Sequence, residues 1–404
     1  MKSSKLFSMA VLATAVAAVT GLTACSSSPS IETVVVPPAS ESELTISLHP
    51  VDTRAAATGI STEKENTVNR VAVGIFDSNG KAKVVQTFER AAITSGKVSL
   101  TTTTTLSTTD HVLVACNAPA DRFTGSITDE AAFRARTLTL DEALYGAGAD
   151  SHATTDAVDF TNLPMFGHAE GLTQSSTDAT QFTASVSAYH LVAKVTVEEM
   201  NTAFSGALAG ASFEPEGIFL AHVPGQLDFQ NVVATGSEAK YESSLSVAGT
   251  TYYHGDLSNK KDGGSFLGKA YLGMDATEAN GTKTVKGLVA YTMPNSQTDD
   301  AHATFLVIKG TFHSSATDKT GTAVWYPLYL NYSSDGANTR PVGDAKKVYP
   351  NFNYRMRITI KGFGESRKYD GNGNPVITPL SSGAATVFIS PQDFVDAASE
   401  VTVE

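Results

Sequence analysis

Apolar residues recur at every second position in short runs along most of this chain, and long runs with a 3.6-residue period are scarce. Successive side chains of a strand point to opposite faces, so such runs read as half-buried strands. Leu44-Thr45-Ile46-Ser47-Leu48 is one such run. Val71-Ala72-Val73-Gly74-Ile75-Phe76 is another, and it enters Asp77-Ser78-Asn79-Gly80, where Asn-Gly tolerates positive φ and predicts a hairpin with residues 83–88 returning. Further strands are predicted over 98–105, 112–116, 182–197, 217–223, 287–293, 304–308, 325–330, 354–360, 385–389 and 394–403, with 304–308 pairing 325–330 across a polar loop. In the 182–197 run, His190, Val192, Lys194 and Thr196 alternate against Leu191, Ala193, Val195 and Val197. Residues 129–145 are the best helical stretch, with acidic residues near the start, and a polar loop follows over 146–156. Many short strands with turn signals between them predict an all-β chain of sandwiches with minor helical content. A domain boundary is placed near residue 198, after Val195-Thr196-Val197.

The N-terminus carries its own signal. Lys2 and Lys5 precede an apolar or small run over 9–21, too short for a permanent membrane span and typical of a signal-peptide core. It ends in Leu22-Thr23-Ala24-Cys25, which resembles a lipobox; Cys25 is the expected lipidation site, with residues 1–24 removed. Ser26-Ser27-Ser28-Pro29-Ser30 fits a flexible tether. Of the 404 residues, the remainder suffices for two or three domains that each bury a core. The formal net charge is -12, and loss of Lys2 and Lys5 gives -12 - 2 = -14. An acidic chain without a basic run is a poor match for nucleic acid. Besides Cys25 the only cysteine is Cys116, so no intrachain disulfide forms once Cys25 is lipidated, and core burial alone must hold the fold. Cys116 ends the apolar run His111-Val112-Leu113-Val114-Ala115-Cys116 and reads as a buried, inert thiol.

Chemistry-bearing constellations are missing from the sequence. The 9 histidines are scattered, with no His-x-Glu or His-Glu-x-x-His pair, and there is no Gly-x-Ser-x-Gly elbow or phosphate loop. The stretch Asp370-Gly371-Asn372-Gly373-Asn374 opens like a calcium loop but has Pro375 at position six and Ser381 at position twelve, so it reads as a Gly-rich turn. Asn331-Tyr332-Ser333 fits a glycosylation acceptor, a feature of little weight in a bacterial lipoprotein. The expectation is a protein that is not an enzyme and uses no cofactor and no metal.

Several segments in order carry a family resemblance: the lipobox, Val68-Asn69-Arg70-Val71-Ala72-Val73-Gly74-Ile75-Phe76, the stretches 112–119 and 189–197, Phe213-Glu214-Pro215-Glu216-Gly217-Ile218, then 326–331 and 351–361. With these the chain resembles the fimbrillins, shaft subunits of the type V pili of Bacteroidales. The resemblance implies two transthyretin-like β-sandwich domains, over 55–198 and 199–404. It implies a lipoprotein precursor, held at the outer membrane and cut by a trypsin-like, Arg-specific protease after an N-terminal strand, with the mature protein in a surface fimbrium. The matching cut here lies between Arg54 and Ala55, making 25–54 a tether plus a removable strand (Leu44, Ile46 and Leu48). Pro50 followed by a lone Arg among small residues is also a segment a protease enters readily. The partners implied are other copies or related pilus subunits. Removing the strand would expose a groove and unpaired edges for a neighbour's C-terminal strand, for which Phe394, Val395, Val401 and Val403 are the candidates. Repetition head to tail gives an open filament. Three other readings stay open: a pilus anchor, a minor accessory subunit, and a glycan-binding β-sandwich lipoprotein with Tyr252, Tyr253 and Phe229 as an aromatic platform.

Overall fold

The computed structural model describes residues 41–50, 65–144, 161–230, 245, 250–255, 266–267, 276–279, 282–332, 343–371, 375–380 and 385–393. The first part of the chain forms strands β1 (Ser42–Pro50), β2 (Arg70–Phe76), β3 (Ala82–Glu89), β4 (Lys97–Thr102), β5 (His111–Cys116), β6 (Thr137–Thr139), β7 (Met165–Ala169), β8 (Thr173–Gln174) and β9 (Gln181–His190). Their sheet runs in the order β3-β2-β5-β7-β9-β1-β4, with β8 also on β9. The inward side chains of this sheet, from Phe88 on β3 to Leu100 on β4, form a single hydrophobic cluster, so the sheet wraps around its own core.

The expected hairpin is present between β2 and β3. Gly80 has φ 77, and the Asp77 carboxylate accepts hydrogen bonds from the Asn79 and Lys81 amides, both at 2.9 Å. That is the local chemistry that makes Asp and Gly turn residues.

The expected helix over 129–145 is instead two short pieces, α1 (Glu130–Arg134) and α2 (Leu140–Leu144), separated by β6. Asp129 caps α1 by accepting from the Ala132 amide at 2.8 Å. The interruption is Thr137-Leu138-Thr139, whose β-branched residues suit an extended backbone and which pairs with a later strand.

The rest of the chain forms β10 (Ala193–Thr202), β11 (Ser212–Ala221), β12 (Val223–Pro224), β13 (Gln226–Asp228), β14 (Tyr252–Gly255), β15 (Phe266–Leu267), β16 (Ala276–Ala279), β17 (Thr282–Thr292), β18 (Phe305–His313), β19 (Thr322–Tyr329), β20 (Phe352–Ile360), β21 (Glu365–Ser366) and β22 (Ala385–Asp393). One sheet runs β16-β17-β10-β20-β22 and another β11-β18-β19-β21. Their facing side chains, such as Val195, Tyr354, Leu220, Leu306 and Tyr326, share one core cluster, which is the packing of a sandwich. The predicted pairing of 304–308 with 325–330 appears as β18 against β19, Leu306 opposite Leu328.

The run over 182–197 holds parts of two strands, β9 and β10. It breaks at Leu191–Val192 and changes sheet: β9 closes the first sheet, and β10 lies wholly in the second, between β17 and β20. A boundary near 198 therefore falls within β10. His190, Lys194 and Thr196 are as buried as their apolar neighbours, because this stretch is covered on both faces.

Residues from Ser40 onward form one compact unit. β6 pairs with β13, so the two parts share a small sheet, and Phe229 packs edge-on against Phe123 at 5.1 Å between ring centroids.

Candidate functional site: the first strand and its groove

β1 begins as a sequence of alternating side chains, and the structure uses that alternation. Leu44 and Ile46 are fully buried and Leu48 nearly so, while Glu43, Thr45 and Ser47 are only half-buried. The three aliphatic residues named from the sequence are thus brought together on one face, inside the core cluster of the first sheet.

The position of β1 matters more than its burial. It is not at the sheet edge but between β9, to which it is parallel, and β4, to which it is antiparallel. Leu44 sits between Leu100 and Phe182, and Ile46 between Val98 and Ala184. On the half-buried face the Gln181 amide nitrogen Nε2 donates to Glu43 Oε2 at 2.8 Å, and the Thr45 and Ser99 hydroxyls lie 3.4 Å apart. The Leu48 amide donates to Gly96 O at 2.7 Å. Ser95 and Gly96 both have positive φ, forming the two-residue turn that leads into β4. A Cβ on Gly96 would lie 3.2 Å from Leu48 O, so the turn approaches β1 closely where only glycine fits easily. Withdrawing β1 would open main-chain ladders on both β9 and β4 and uncover the core between them.

The chain re-enters the described structure at Glu65, which is fully buried. Lys194 Nζ donates to its carboxylate at 2.8 Å, and the Tyr291 hydroxyl donates to the same oxygen. The His190 ring lies 3.1 Å from Glu65 O. Burial pushes the Tyr291 hydroxyl well above its ordinary pKa and holds His190 below its own. The next residues are also fixed. Asn117, buried with φ 61, donates to Thr67 O at 2.8 Å and accepts from the Asn69 amide at 2.8 Å. Arg90 donates to Val68 O at 2.7 Å. Residues 65–69 are therefore anchored by contacts that do not involve β1. Glu65, Lys194 and Tyr291 escape a reading of the sequence. Lys194 looks like the polar side of an alternating strand, and Glu65 lies among other charged residues.

Cys25, Arg54, Ala55, Phe394, Val395, Val401 and Val403 lie outside the described residues. The last described strand, β22, is antiparallel to β20 at the end of its sheet and stops at Asp393, one residue before Phe394.

Other sequence candidates resolve simply. Cys116 is fully buried and its thiol pKa is pushed up to about 12 by desolvation. Phe229 is fully buried and Tyr252 and Tyr253 are half-buried, so the three do not form an exposed platform. Asn331 is fully buried and donates to Asp344 O. Among the described residues no group of three or more His, Cys, Asp or Glu could hold a metal ion, and no helix is long and apolar enough to cross a membrane.

Residues 42–203 match the family model of the major fimbrial subunit protein (FimA). That match begins at the first residue of β1 and ends just past β10. Two crystal structures resemble the chain over most of its length. A fimbrilin from Porphyromonas gingivalis W83 superposes with TM-score 0.55 at 13% identity, covering 87% of this chain and 97% of that one. A candidate cell adhesion protein from Parabacteroides distasonis ATCC 8503 superposes with TM-score 0.55 at 15% identity, covering 88% and 99%. At such identities the shared property is the fold. No curated protein sequence matches.

Proposed function

We propose that this chain, whose residues 42–203 match the family model of the major fimbrial subunit protein, is a pilus shaft subunit exported as a lipoprotein precursor, cut after Arg54 and polymerised by strand exchange. It assembles with other pilus subunits in a fimbrium at the cell surface. Its role is structural, not catalytic. In the precursor, lipid on Cys25 anchors the chain to the outer membrane. An Arg-specific protease then separates β1 from the rest of the chain within residues 51–64.

One observation carries this reading: β1 lies in the interior of its sheet, between β9 and β4, yet joins the rest of the chain only through residues 51–64. A strand so placed fills a groove that a folded monomer cannot leave empty. The groove would have a core lined by Val98, Leu100, Phe182, Ala184 and Val186 and two unpaired ladders, both satisfied by an extended segment of another subunit. The anchoring of Glu65 by Lys194 and Tyr291 supports the same reading, because the segment that follows the cut stays tied to β10 and β17.

Sheared filaments test it directly. N-terminal sequencing should read from Ala55. Arg54→Ala should leave a longer, lipid-bearing chain with few filaments, because the groove keeps its own strand. Filaments made of chains that begin at a lipidated Cys25 would overturn the proposal.

A further inference from the structure

We infer that residues 399–403 of a second copy of this chain replace residues 42–46 of the first, side chain for side chain and in the same direction. The inference rests on the strand-exchange reading and adds to it the register and polarity of the incoming strand.

The sequence contains two closely similar pentapeptides. Ser42-Glu43-Leu44-Thr45-Ile46 opens β1, and Ser399-Glu400-Val401-Thr402-Val403 lies in the segment after β22. The Ser, Glu and Thr positions are identical, and each apolar position keeps an aliphatic residue, one methylene smaller. Each identity meets a need visible in the groove. Ser42 is buried, so a small side chain is required there. Glu43 holds Gln181 across the parallel ladder at 2.8 Å, and Glu400 in its place would do the same. Thr45 faces Ser99 across the antiparallel ladder at 3.4 Å, a cross-strand hydroxyl pair that Thr402 reproduces. Leu44 and Ile46 fill fully buried sites that accept Val401 and Val403 without overpacking.

The second sheet supplies independent support. β10 contains Val195-Thr196-Val197-Glu198, and Val401-Thr402-Val403-Glu404 repeats those four residues. β10 has the same neighbours as β1: an antiparallel strand on one side, β17, and a parallel strand on the other, β20. This chain thus already places Val-Thr-Val in a strand with that mixed pairing, with Glu198 at the irregularity that follows. Register is sharply determined in such a site. A slip of one residue would turn Glu400 and Thr402 into the core. A slip of two would keep the faces but lose the Glu to Gln181 bond and the Thr to Ser99 pair.

Disulfide trapping in filaments tests the register. Paired residues in neighbouring strands lie about 4.5–5.5 Å apart at Cα, within the roughly 4.4–6.8 Å that a disulfide spans. Full-length chains carrying Ser99→Cys with Thr402→Cys should give a ladder of covalent multimers on non-reducing gels of sheared filaments. The yield should be several-fold above that of Ser99→Cys with Glu400→Cys or with Glu404→Cys. Thr183→Cys with Thr402→Cys repeats the test from the β9 side, where Thr183 is exposed and partners Thr45. Ser99 is likewise exposed, so these changes spare the core. A strongest ladder with Glu400→Cys or Glu404→Cys would overturn the register and leave strand exchange standing. A disulfide within one chain would overturn the second copy as occupant. Filaments that form normally but cross-link with none of these pairs would overturn both the register and donation by this segment.

Discussion

Ile46→Ala should weaken the precursor and leave the filament untouched. Ile46 is fully buried, flanked by Val98 on one strand and Ala184 on the other, with Leu44 and Leu48 to either side along β1. Truncating such a side chain removes its transfer free energy and leaves a cavity that neighbours close only in part, at a cost of about 2–5 kcal/mol. Because Ile46 is enclosed by ladders on both sides, its surroundings have little freedom to collapse, which points to the middle of that range, about 3–4 kcal/mol. Residues 40–404 form one unit, and at about 2.1 cal/mol/K of unfolding entropy per residue its melting point moves about 1.3 °C per kcal/mol, so the precursor should melt roughly 4–5 °C lower. The assay compares two samples. One is the uncleaved monomer, kept uncleaved by Arg54→Ala, followed by circular dichroism on heating. The other is assembled filaments from cells carrying Ile46→Ala alone, followed by their temperature of dissociation. The monomer should lose stability, and the filaments should dissociate at the wild-type temperature, because the strand carrying residue 46 has left them. Filaments weakened by the same amount as the monomer would show that β1 remains in place after assembly and would refute strand replacement.

Three further outcomes are expected. Glu65→Gln leaves Lys194 charged and buried and should cost about 3–5 kcal/mol in urea unfolding, whereas Glu65→Gln combined with Lys194→Met removes both charges and should recover much of that loss. Cys116 should resist iodoacetamide at pH 8 in the folded chain and react on unfolding, since its thiol is buried and its pKa is pushed up to about 12. Burial lowers the pKa of His190, His222 and His254 below the ordinary 6.5. The unfolded chain therefore takes up protons below about pH 6.5 that the folded chain resists, so the urea midpoint should fall between pH 7.5 and pH 5, and should fall less in His254→Gln.

What the sequence determined by itself was local. The alternation in 44–48 states which side chains of β1 go inward, because the strand period is two and one face of this strand is buried. The Asp77 to Gly80 turn is equally local, since its hydrogen bonds and positive φ are satisfied within five residues. Thr304 to Ile308 and its partner strand were legible because an antiparallel pair close in sequence needs only a connecting loop. The tertiary structure alone decided where β1 lies. Its parallel partner β9 is 138 residues away at the Glu43–Gln181 contact, and parallel pairing carries no turn that a sequence could display. The change of sheet at Leu191–Val192 was hidden for a related reason: with both faces covered, alternation no longer distinguishes core from solvent. Thr137 to Thr139 became a strand because β13 was there to pair with it, overriding a segment with helical residues on both sides. Glu65 and Lys194 are charged residues that sequence reasoning assigns to the surface. Only the fold brings them together from 129 residues apart, so that each lowers the cost of burying the other.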